Sequence, residues 1–459
     1  MSDTCLSEIS AKTPGGLSGG IKQRLIQQAL ERRRSGAEAV DSNGATLEQA
    51  QQAALKVPEA FYRFDQYPGY QQMQFMQQSA ARMGLGNPFF RLHDGLAGAE
   101  TCIGGRDYVN FASYNYLGYS GHPAVAQAAK DAIDRYGTSV SASRVVSGDR
   151  PLHRELEREL ASFYQVDDAV VFVSGHATNV TTIGYLFGPR DLVLHDELVH
   201  NSVLQGIQLS GARRLSFAHN DWQALDRILG EQRQYFERVL VVVEGIYSMD
   251  GDYPDLPRFV ELKRKHKIFL MVDEAHSLGV MGATGKGIRE HFGLAGDDVD
   301  IWMGTLSKTL ASCGGYIAGN TALVEHLKFL APGFLYSVGM PPSVTASALA
   351  ALRCLVNDHE RVQTVQARGE QFLRLAKAAG LDTATSTGLA VIPVITGSSL
   401  KAGRLSSALF ERGINAQPIL YPAVPEQAAR VRFFVSCEHT EEQISQTVAI
   451  VAEEMAKLG

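Results

Sequence analysis

From about residue 100 onwards, short apolar runs alternate with stretches that have helical spacing. Each run turns polar at its carboxyl end, and the clearest are AVVFV (169–173), RVLVVVEG (238–245), KIFLMVDEAH (267–276) and VDIWMGT (299–305). Continuous apolar strands separated by helices are typical of a parallel sheet that is buried on both faces. The pattern therefore predicts an α/β fold with a mostly parallel sheet between layers of helices.

The ends of these strands carry polar residues. Ser174, Glu244, Asp273 and Thr305 each come at or directly after the last apolar position of a run. In open parallel sheets, ligands bind beyond the carboxyl ends of the strands. We therefore expect these side chains to meet at one edge of the sheet and to form the functional site there.

The two ends of the chain have different patterns. After about residue 345, helical stretches mix with the short strands LAVIPVIT (389–396) and RVRFFVS (430–436), which predicts a smaller α+β lobe. Near the start, GGLSGG is a flexible break, and IKQRLIQQALERRR (21–34) has apolar residues near helical spacing. That helix is either a partner-docking helix or one that packs on its own protein or frays. The predicted organisation is an N-terminal extension (1–60), an N-terminal segment (61–125), a large catalytic domain (126–345) and a small C-terminal domain (346–459).

Composition narrows the class of protein. The 459 residues are 45% hydrophobic, which supports a sizeable core, and the net charge of −6 argues against a general nucleic-acid binder. The five cysteines are scattered and form no CxxC pair, so they indicate neither a zinc site nor a disulfide framework, and a reducing cytoplasm is the expected compartment. The N-terminus lacks the apolar run of a signal peptide, and no stretch is long and apolar enough to predict a membrane span.

One lysine has unusual surroundings. Lys308 lies in GTLSKTLASCGGY (304–316), among glycines, serines and threonines and with no acidic residue nearby. A lysine held among neutral groups loses its proton more easily, and the free amine forms a Schiff base with an aldehyde. The alternative is a surface or anion-binding lysine, which such a loop also suits.

Other residues near the predicted strand ends fit the same chemistry. Asp273 ends a buried strand and needs a cationic or hydrogen-bonding partner, for which a protonated pyridine nitrogen is suitable. SGHATN (174–179) follows a strand and opens a helix whose N–H groups, with the Thr305 hydroxyl, suit a phosphate. His200 is suited to stack on an aromatic ring, and His276 to bond a phenolic oxygen. Each has an ordinary structural explanation alone; together they supply what pyridoxal phosphate needs.

Several longer motifs carry a family resemblance. They are NYLGY (115–119), GTSVSASRVVSG (137–148), HRELERELASF (153–163), EGIYSMDGD (244–252), VDEAHSLGVMGATGKG (272–287), GTLSK (304–308) and LYSVGMPP (335–342). With them, the chain from about residue 85 resembles the α-oxoamine synthase family of fold type I pyridoxal-phosphate enzymes. The resemblance implies a seven-stranded, mostly parallel sheet in the large domain and a smaller α+β C-terminal domain.

The resemblance also implies roles for individual residues. Lys308 is the expected Schiff-base lysine and proton shuttle, Asp273 the partner of the ring nitrogen, and His200 the stacking residue. The remaining expected cofactor contacts are Ser174, Gly175, His176 and Thr305 at the phosphate, Ser248 and His276 at the phenolic oxygen, and Ser337 from a second subunit. Asn115 and Arg432 are the expected substrate-binding residues. A homodimer with shared active sites follows from the role of Ser337.

The implied reaction joins a small amino acid to an acyl thioester, with loss of CO2 and release of the thiol. Some relatives have a further arginine where this chain has Leu420, so the choice among serine, alanine and glycine stays open. Residues 17–33, 57–73 and 84–98 resemble segments of polyketide and nonribosomal peptide assembly lines, which favours a carrier-protein thioester over acyl-CoA. A transaminase or lyase of the same fold, or an inactive scaffold partner, are the alternatives.

Overall fold

The structure, a computed structural model, describes residues 57–82 and 86–458, which fall into two separate units. The first unit contains helix α1 (Pro68–Arg82), preceded by two short 3-10 turns. Its aromatic side chains are exposed, among them Phe61, Phe64 and Phe75. The amphipathic helix predicted near residues 21–34 lies outside the described residues.

The second unit contains the strands and helices of the predicted α/β fold. The strands are β1 (His93–Asp94), β2 (Glu100–Ile103), β3 (Arg106–Asn110), β4 (Asp168–Phe172), β5 (Leu192–Asp196), β6 (Arg213–Phe217), β7 (Val239–Glu244), β8 (Phe269–Asp273), β9 (Ile301–Thr305), β10 (Gly315–Gly319), β11 (Val391–Ile395), β12 (Ile414–Asn415), β13 (Gln417–Ile419) and β14 (Arg430–Phe434). The helices are α2 (Pro123–Tyr136), α3 (Pro151–Tyr164), α4 (Gly175–Leu186), α5 (Asn201–Ser210), α6 (Trp222–Gln232), α7 (Leu256–His266), α8 (Gly287–Phe292), α9 (Thr321–Leu330), α10 (Pro332–Leu335), α11 (Pro342–Asn357), α12 (Glu360–Ala378), α13 (Ser399–Glu411) and α14 (Glu441–Lys457).

The seven-stranded sheet has the order β4-β10-β9-β8-β7-β5-β6. The pairs from β9 through β8, β7 and β5 to β6 are parallel, and β10 runs antiparallel to both of its neighbours. Every residue of β7 is buried, and its side chains alternate between two cores: Val241 and Val243 pack in one, Leu240 and Val242 in the other. Because both faces of the sheet are covered, the sequence of β7 is a continuous apolar run. The predicted mostly parallel sheet is confirmed.

The smaller lobe has a sheet and a core of its own. Strands β11, β14 and β13 form an antiparallel sheet, and β11 and β14 lie within the two predicted C-terminal strands. Short strand β12 pairs with β3 and so ties the residues before α2 to this lobe. The predicted domain boundaries at 125/126 and 345/346 fall inside α2 and α11, and the division into four segments stays a prediction.

Among residues 57–82 and 86–458, no helix is both long enough and apolar enough to cross a membrane. Within the same residues, Cys102, Cys313, Cys354 and Cys437 are free thiols.

Candidate active site

The carboxyl ends of the large sheet open into a cavity of about 350 Å³. Ser174, Glu244, Asp273 and Thr305, the predicted strand-end residues, all line it. The predicted site residues found in its wall are Ser174, Gly175, His176, His200, Ser248, Asp273, His276, Thr305, Lys308 and Arg432. The expected convergence at this edge is therefore observed, because parallel strands bring their carboxyl ends to the same side.

Lys308 lies in the tight loop that joins β9 to β10. The loop closes on itself through the Ala311 N–H, which donates to the Lys308 carbonyl at 2.9 Å. The Lys308 side chain is half-buried and has no ion pair among residues 57–82 and 86–458. Removal of its amine from water is the main cause that lowers the pKa, to about 8, against the opposing pull of Asp273. A substantial fraction of the protein molecules therefore have a neutral Lys308 amine near physiological pH.

Asp273 is buried at the end of β8. One carboxylate oxygen accepts the Ala275 N–H at 3.0 Å, and the other accepts the Asn179 side-chain amide at 2.9 Å. In the part of the chain that the structure describes, no cation lies within ion-pair distance of this carboxylate. Asp273 is therefore a buried carboxyl group that accepts two N–H bonds and has no counter-cation among the described residues.

A hydrogen-bond chain links Asp273 to His200. The Asn179 amide donates both to Asp273 and to the Ser202 hydroxyl, each at 2.9 Å. Ser202 lies 2.7 Å from His200 Nδ1, and its backbone N–H points at the same nitrogen at 3.3 Å. Nδ1 is therefore an acceptor, and burial lowers the pKa of the imidazole, so His200 is neutral with its proton on Nε2.

His276 forms another part of the wall. Its Nδ1 lies 2.7 Å from the Tyr116 hydroxyl, and its ring is parallel to that of Phe434, with centroids 6.1 Å apart. Burial lowers the pKa of His276 well below its usual value, with Lys308 and Arg432 adding to the shift. His276 is therefore also neutral, and Tyr116 fixes the direction of its ring.

One end of the cavity is the N-terminus of α4. Ser174 caps the helix by accepting the Ala177 N–H, so the first N–H groups of the helix have no partner within it. A Cβ on Gly175 would lie 2.7 Å from Thr305 Oγ1, and only glycine allows the helix to approach Thr305 this closely. Thr305 in turn donates to the Gly314 carbonyl at 3.1 Å. Such a cradle of N–H groups and a hydroxyl suits a phosphate.

Arg432 approaches the cavity from β14 of the smaller lobe. Its Nη1 donates to the Ser248 carbonyl at 2.7 Å, and its guanidinium lies 4.5 Å from the centre of the Phe434 ring. Its Nε is buried without a partner, and among the described residues no carboxylate pairs with it. Arg432 is therefore a half-buried cation that is suited to bind a carboxylate in two-point geometry.

Two predicted residues lie outside this cavity. Asn115 lines a second cavity of about 290 Å³, which shares Tyr114, Ser307 and Lys308 with the first. It is only 7% exposed, and its amide nitrogen has no partner. Ser337 is half-buried and lines neither cavity; its hydroxyl donates to the Val338 carbonyl at 3.3 Å.

Comparisons of sequence and of structure identify the relatives of this chain. The family model Aminotransferase class I and II matches residues 106–451. The chain is 36% identical to 8-amino-7-oxononanoate synthase of Treponema denticola over 390 residues, which is 84% of this chain and 98% of that protein. It is 40% identical to the synthase of the same name from Symbiobacterium thermophilum over 78% of this chain and 91% of that protein.

The chain belongs to the α-oxoamine synthase family. Among solved structures, Sphingomonas wittichii serine palmitoyltransferase matches with a TM-score of 0.81 and 29% identity, over 85% of this chain and 98% of that one. A serine palmitoyltransferase solved with a PLP internal aldimine matches equally well, with a TM-score of 0.81 and 29% identity over the same shares. The family and the fold type I architecture predicted from the motifs are confirmed.

Several residues of the site were not predicted from the sequence. Tyr114, Asn179 and Ser202 line the cavity, as does Glu244, which was predicted only as a strand end, and Tyr116 lies behind the cavity against His276. Asn179 follows Ser174 by five residues on a predicted helix, and a polar residue buried on that helix was an available signal. Ser202 and Tyr116 had no such signal, because the contact of Ser202 depends on how α4 packs on α5 and that of Tyr116 on a histidine 160 residues away.

Proposed function

We propose that this chain is a pyridoxal-phosphate-dependent acyltransferase that condenses a small amino acid with an acyl thioester, releasing CO2 and a free thiol. One observation carries the proposal: a half-buried lysine, a buried carboxylate and a half-buried guanidinium surround one cavity, and none of them forms an ion pair among residues 57–82 and 86–458. Unpaired buried charges are costly, so they persist where a ligand supplies the missing partners.

The residues of the cavity fit the cofactor. The α4 N-terminus, with Ser174, Gly175, His176 and Thr305, would hold the phosphate, and Asp273 would face the ring nitrogen. Neutral His200 would stack on the ring, and His276 and Ser248 would lie at its phenolic oxygen. When bound, the cofactor supplies an aldehyde for the lysine or substrate amine and a ring that takes up electron density.

Lys308 is the residue assigned to proton movement. Its Nζ has a pKa of about 8, which is near neutral pH, and so is suited both to remove a proton and to return it. His200 also faces the cavity, but its Nδ1 is already engaged by Ser202. The α-proton of the amino acid is therefore assigned to Lys308 Nζ.

Arg432 is assigned to the substrate carboxylate. The guanidinium is fixed by the Ser248 carbonyl and by the Phe434 ring, so it meets a carboxylate with little loss of conformational freedom.

The second cavity, which Lys308 also lines, is assigned to the thioester. Its other walls are neutral and polar and include Asn115, whose unpartnered amide nitrogen would donate to a substrate oxygen.

The assembly and the thioester carrier are also proposals. We propose a homodimer in which the partner subunit's Ser337 completes the phosphate site, because Ser337 lies outside the cavity of its own chain. Tyr336 and Val338, which flank it, are exposed apolar side chains that a partner would cover.

We further propose a carrier-bound acyl chain as the preferred thioester. We also propose a cytoplasmic location, because the cysteines are scattered along the chain and unpaired.

The reaction is tested by thiol release from the full-length, pyridoxal-loaded protein. Serine, alanine and glycine are each paired with a long-chain acyl-CoA and with the same acyl group on a carrier protein. Release that requires one of the amino acids supports the synthase, and faster release from the carrier supports the carrier proposal. A transaminase or lyase releases no thiol, so amino-acid turnover without thiol release would overturn the proposed reaction.

A further inference from the structure

Two carboxyl side chains lie next to each other in the cavity wall. Glu244 and Asp273 end the neighbouring parallel strands β7 and β8 and are directly paired in the register of the sheet. Their exposed fractions are 3% and 4%, and both side chains line the cavity. The proposed function uses Asp273 and leaves the second carboxyl group without a role.

The two groups have different partners. Asp273 accepts two N–H groups, whereas Glu244 accepts one, the backbone N–H of His200, at 2.5 Å. No cation lies within ion-pair distance of either carboxyl group in the part of the chain that the structure describes. The titratable groups that face Glu244 from the surrounding strands and loops are Asp273, Asp196, Lys308, His200 and Tyr247.

Two buried carboxylates side by side do not both ionise without a cation between them. Asp273 has more N–H donors than Glu244 and faces the ring nitrogen in the proposed function, so Glu244 is the group of the pair that is left uncharged. Burial, with the nearby charge of Asp273 adding to it, raises the pKa of Glu244 well above its usual value. An uncharged Glu244 still accepts the His200 N–H through its carbonyl oxygen.

We propose that Glu244 is a positioning residue that works as an uncharged acid, fixing the backbone of His200 and leaving the negative charge of the cavity to Asp273. His200 is the first residue before α5, and Ser202 holds only its ring, so the Glu244 contact sets where the ring stands. The inference rests on the proposed function, because it takes His200 to face the pyridoxal ring.

The test compares Glu244→Gln, Glu244→Ala and Asp273→Asn in the full-length protein. Two quantities are measured: the dissociation constant of pyridoxal phosphate, and the pH midpoint of the absorbance change of the bound cofactor, which reports the proton on its bond to Lys308. Neither needs thiol release, so failure of the proposed reaction leaves this test intact. Thermal unfolding of each variant shows whether it is folded.

Glu244→Gln is expected to leave the midpoint within about 0.3 pH units of wild type, because an amide replaces a neutral acid without a change of charge. Asp273→Asn removes a real charge and is expected to lower the midpoint by about one unit or more. Glu244→Ala is expected to weaken cofactor binding about 5- to 50-fold, with Gln restoring most of it, because the buried His200 N–H loses its acceptor.

Two results would overturn the inference. A Glu244→Gln midpoint that falls as far as that of Asp273→Asn would show that Glu244 carries a charge. Cofactor affinity in Glu244→Ala equal to that of wild type would show that Glu244 positions nothing. If Glu244→Ala does not fold, the Gln variant alone still decides the question of charge.

Discussion

Two lysines of this chain stand in opposite electrostatic settings. Lys328 on α9 is buried and forms ion pairs with Glu157 at 3.1 Å and with Asp168 at 3.5 Å, and Glu157 is also bound by Arg144. Lys308 is half-buried and has no such pair among the described residues, and its removal from water lowers the pKa of its amine. Charges that pair inside a protein satisfy one another, whereas unpaired ones indicate where a ligand or a reaction supplies the partner.

The largest effect is expected from changing the unpaired lysine. Lys308→Ala should lower turnover by about three orders of magnitude or more, since it removes both the covalent attachment and the proton carrier. The variant should fold with an unchanged or higher melting temperature, because a poorly solvated cation is gone. Steady-state thiol release and thermal unfolding measure the two quantities.

Lys328→Ala is the matched control for that prediction. Because Lys328 lies in the ion-pair cluster and not in the cavity, the folded variant should keep turnover within about threefold of wild type. Turnover lost equally in both variants would break the comparison between the two lysines.

Changing the ion-pair cluster of Lys328, Glu157 and Arg144 should instead alter the stability of the protein. Glu157→Gln removes the charge shared by Arg144 and Lys328, both of which are nearly buried. Among the described residues, Arg144 then keeps one ion-pair partner, Asp149. Lys328 likewise keeps one, Asp168 at 3.5 Å, so the change is expected to cost about 3 kcal/mol in the free energy of unfolding. Urea unfolding measures this loss, and a value below about 1 kcal/mol would show that the cluster is not stabilising.

Arg432, on β14 of the smaller lobe, is another charged residue of the cavity without an ion pair among the described residues, and changing it tests the same idea. Arg432→Gln should raise the KM for the amino acid about 10- to 100-fold, because a charge-assisted bond to the substrate carboxylate is lost. The kcat should change much less, and the dissociation constant of the cofactor least. An unchanged KM together with a lower melting temperature would give Arg432 a structural role only.

The smallest effect concerns a paired histidine. His219 lies 2.9 Å from both Asp196 and Asp252, and these carboxylates raise its pKa to about 10 against the cost of burial. A raised pKa gives stability that is complete below the usual value of about 6.5 and is lost as pH rises through about 10. The stability difference between wild type and His219→Gln should therefore shrink from about pH 6.5 upwards and be lost by about pH 10. A constant difference would contradict the pairing.

The parts predictable from sequence are those that one local pattern determines. Strand β7 was predictable because all six of its residues are buried, and the position of Asp273 followed from the strand that it ends. Strand β10 follows the Lys308 loop and has glycine at both ends, so no local apolar pattern predicted it or its antiparallel pairing. Arg432 was predictable only from family resemblance, because a strand 159 residues after Asp273 gives no local sign of facing it. The link through Asn179 and Ser202 depends on the packing of α4 on α5 and had no local signal either.

The most direct test of the central claim is to trap the cofactor on the protein with borohydride. The full-length protein is loaded with pyridoxal phosphate, reduced and digested, and the mass of each lysine peptide is measured. The account predicts a stoichiometric label on the peptide that contains Lys308 and none on the peptide that contains Lys328. A label on another lysine, or no specific label, would contradict the claim that the unpaired lysine is the functional one.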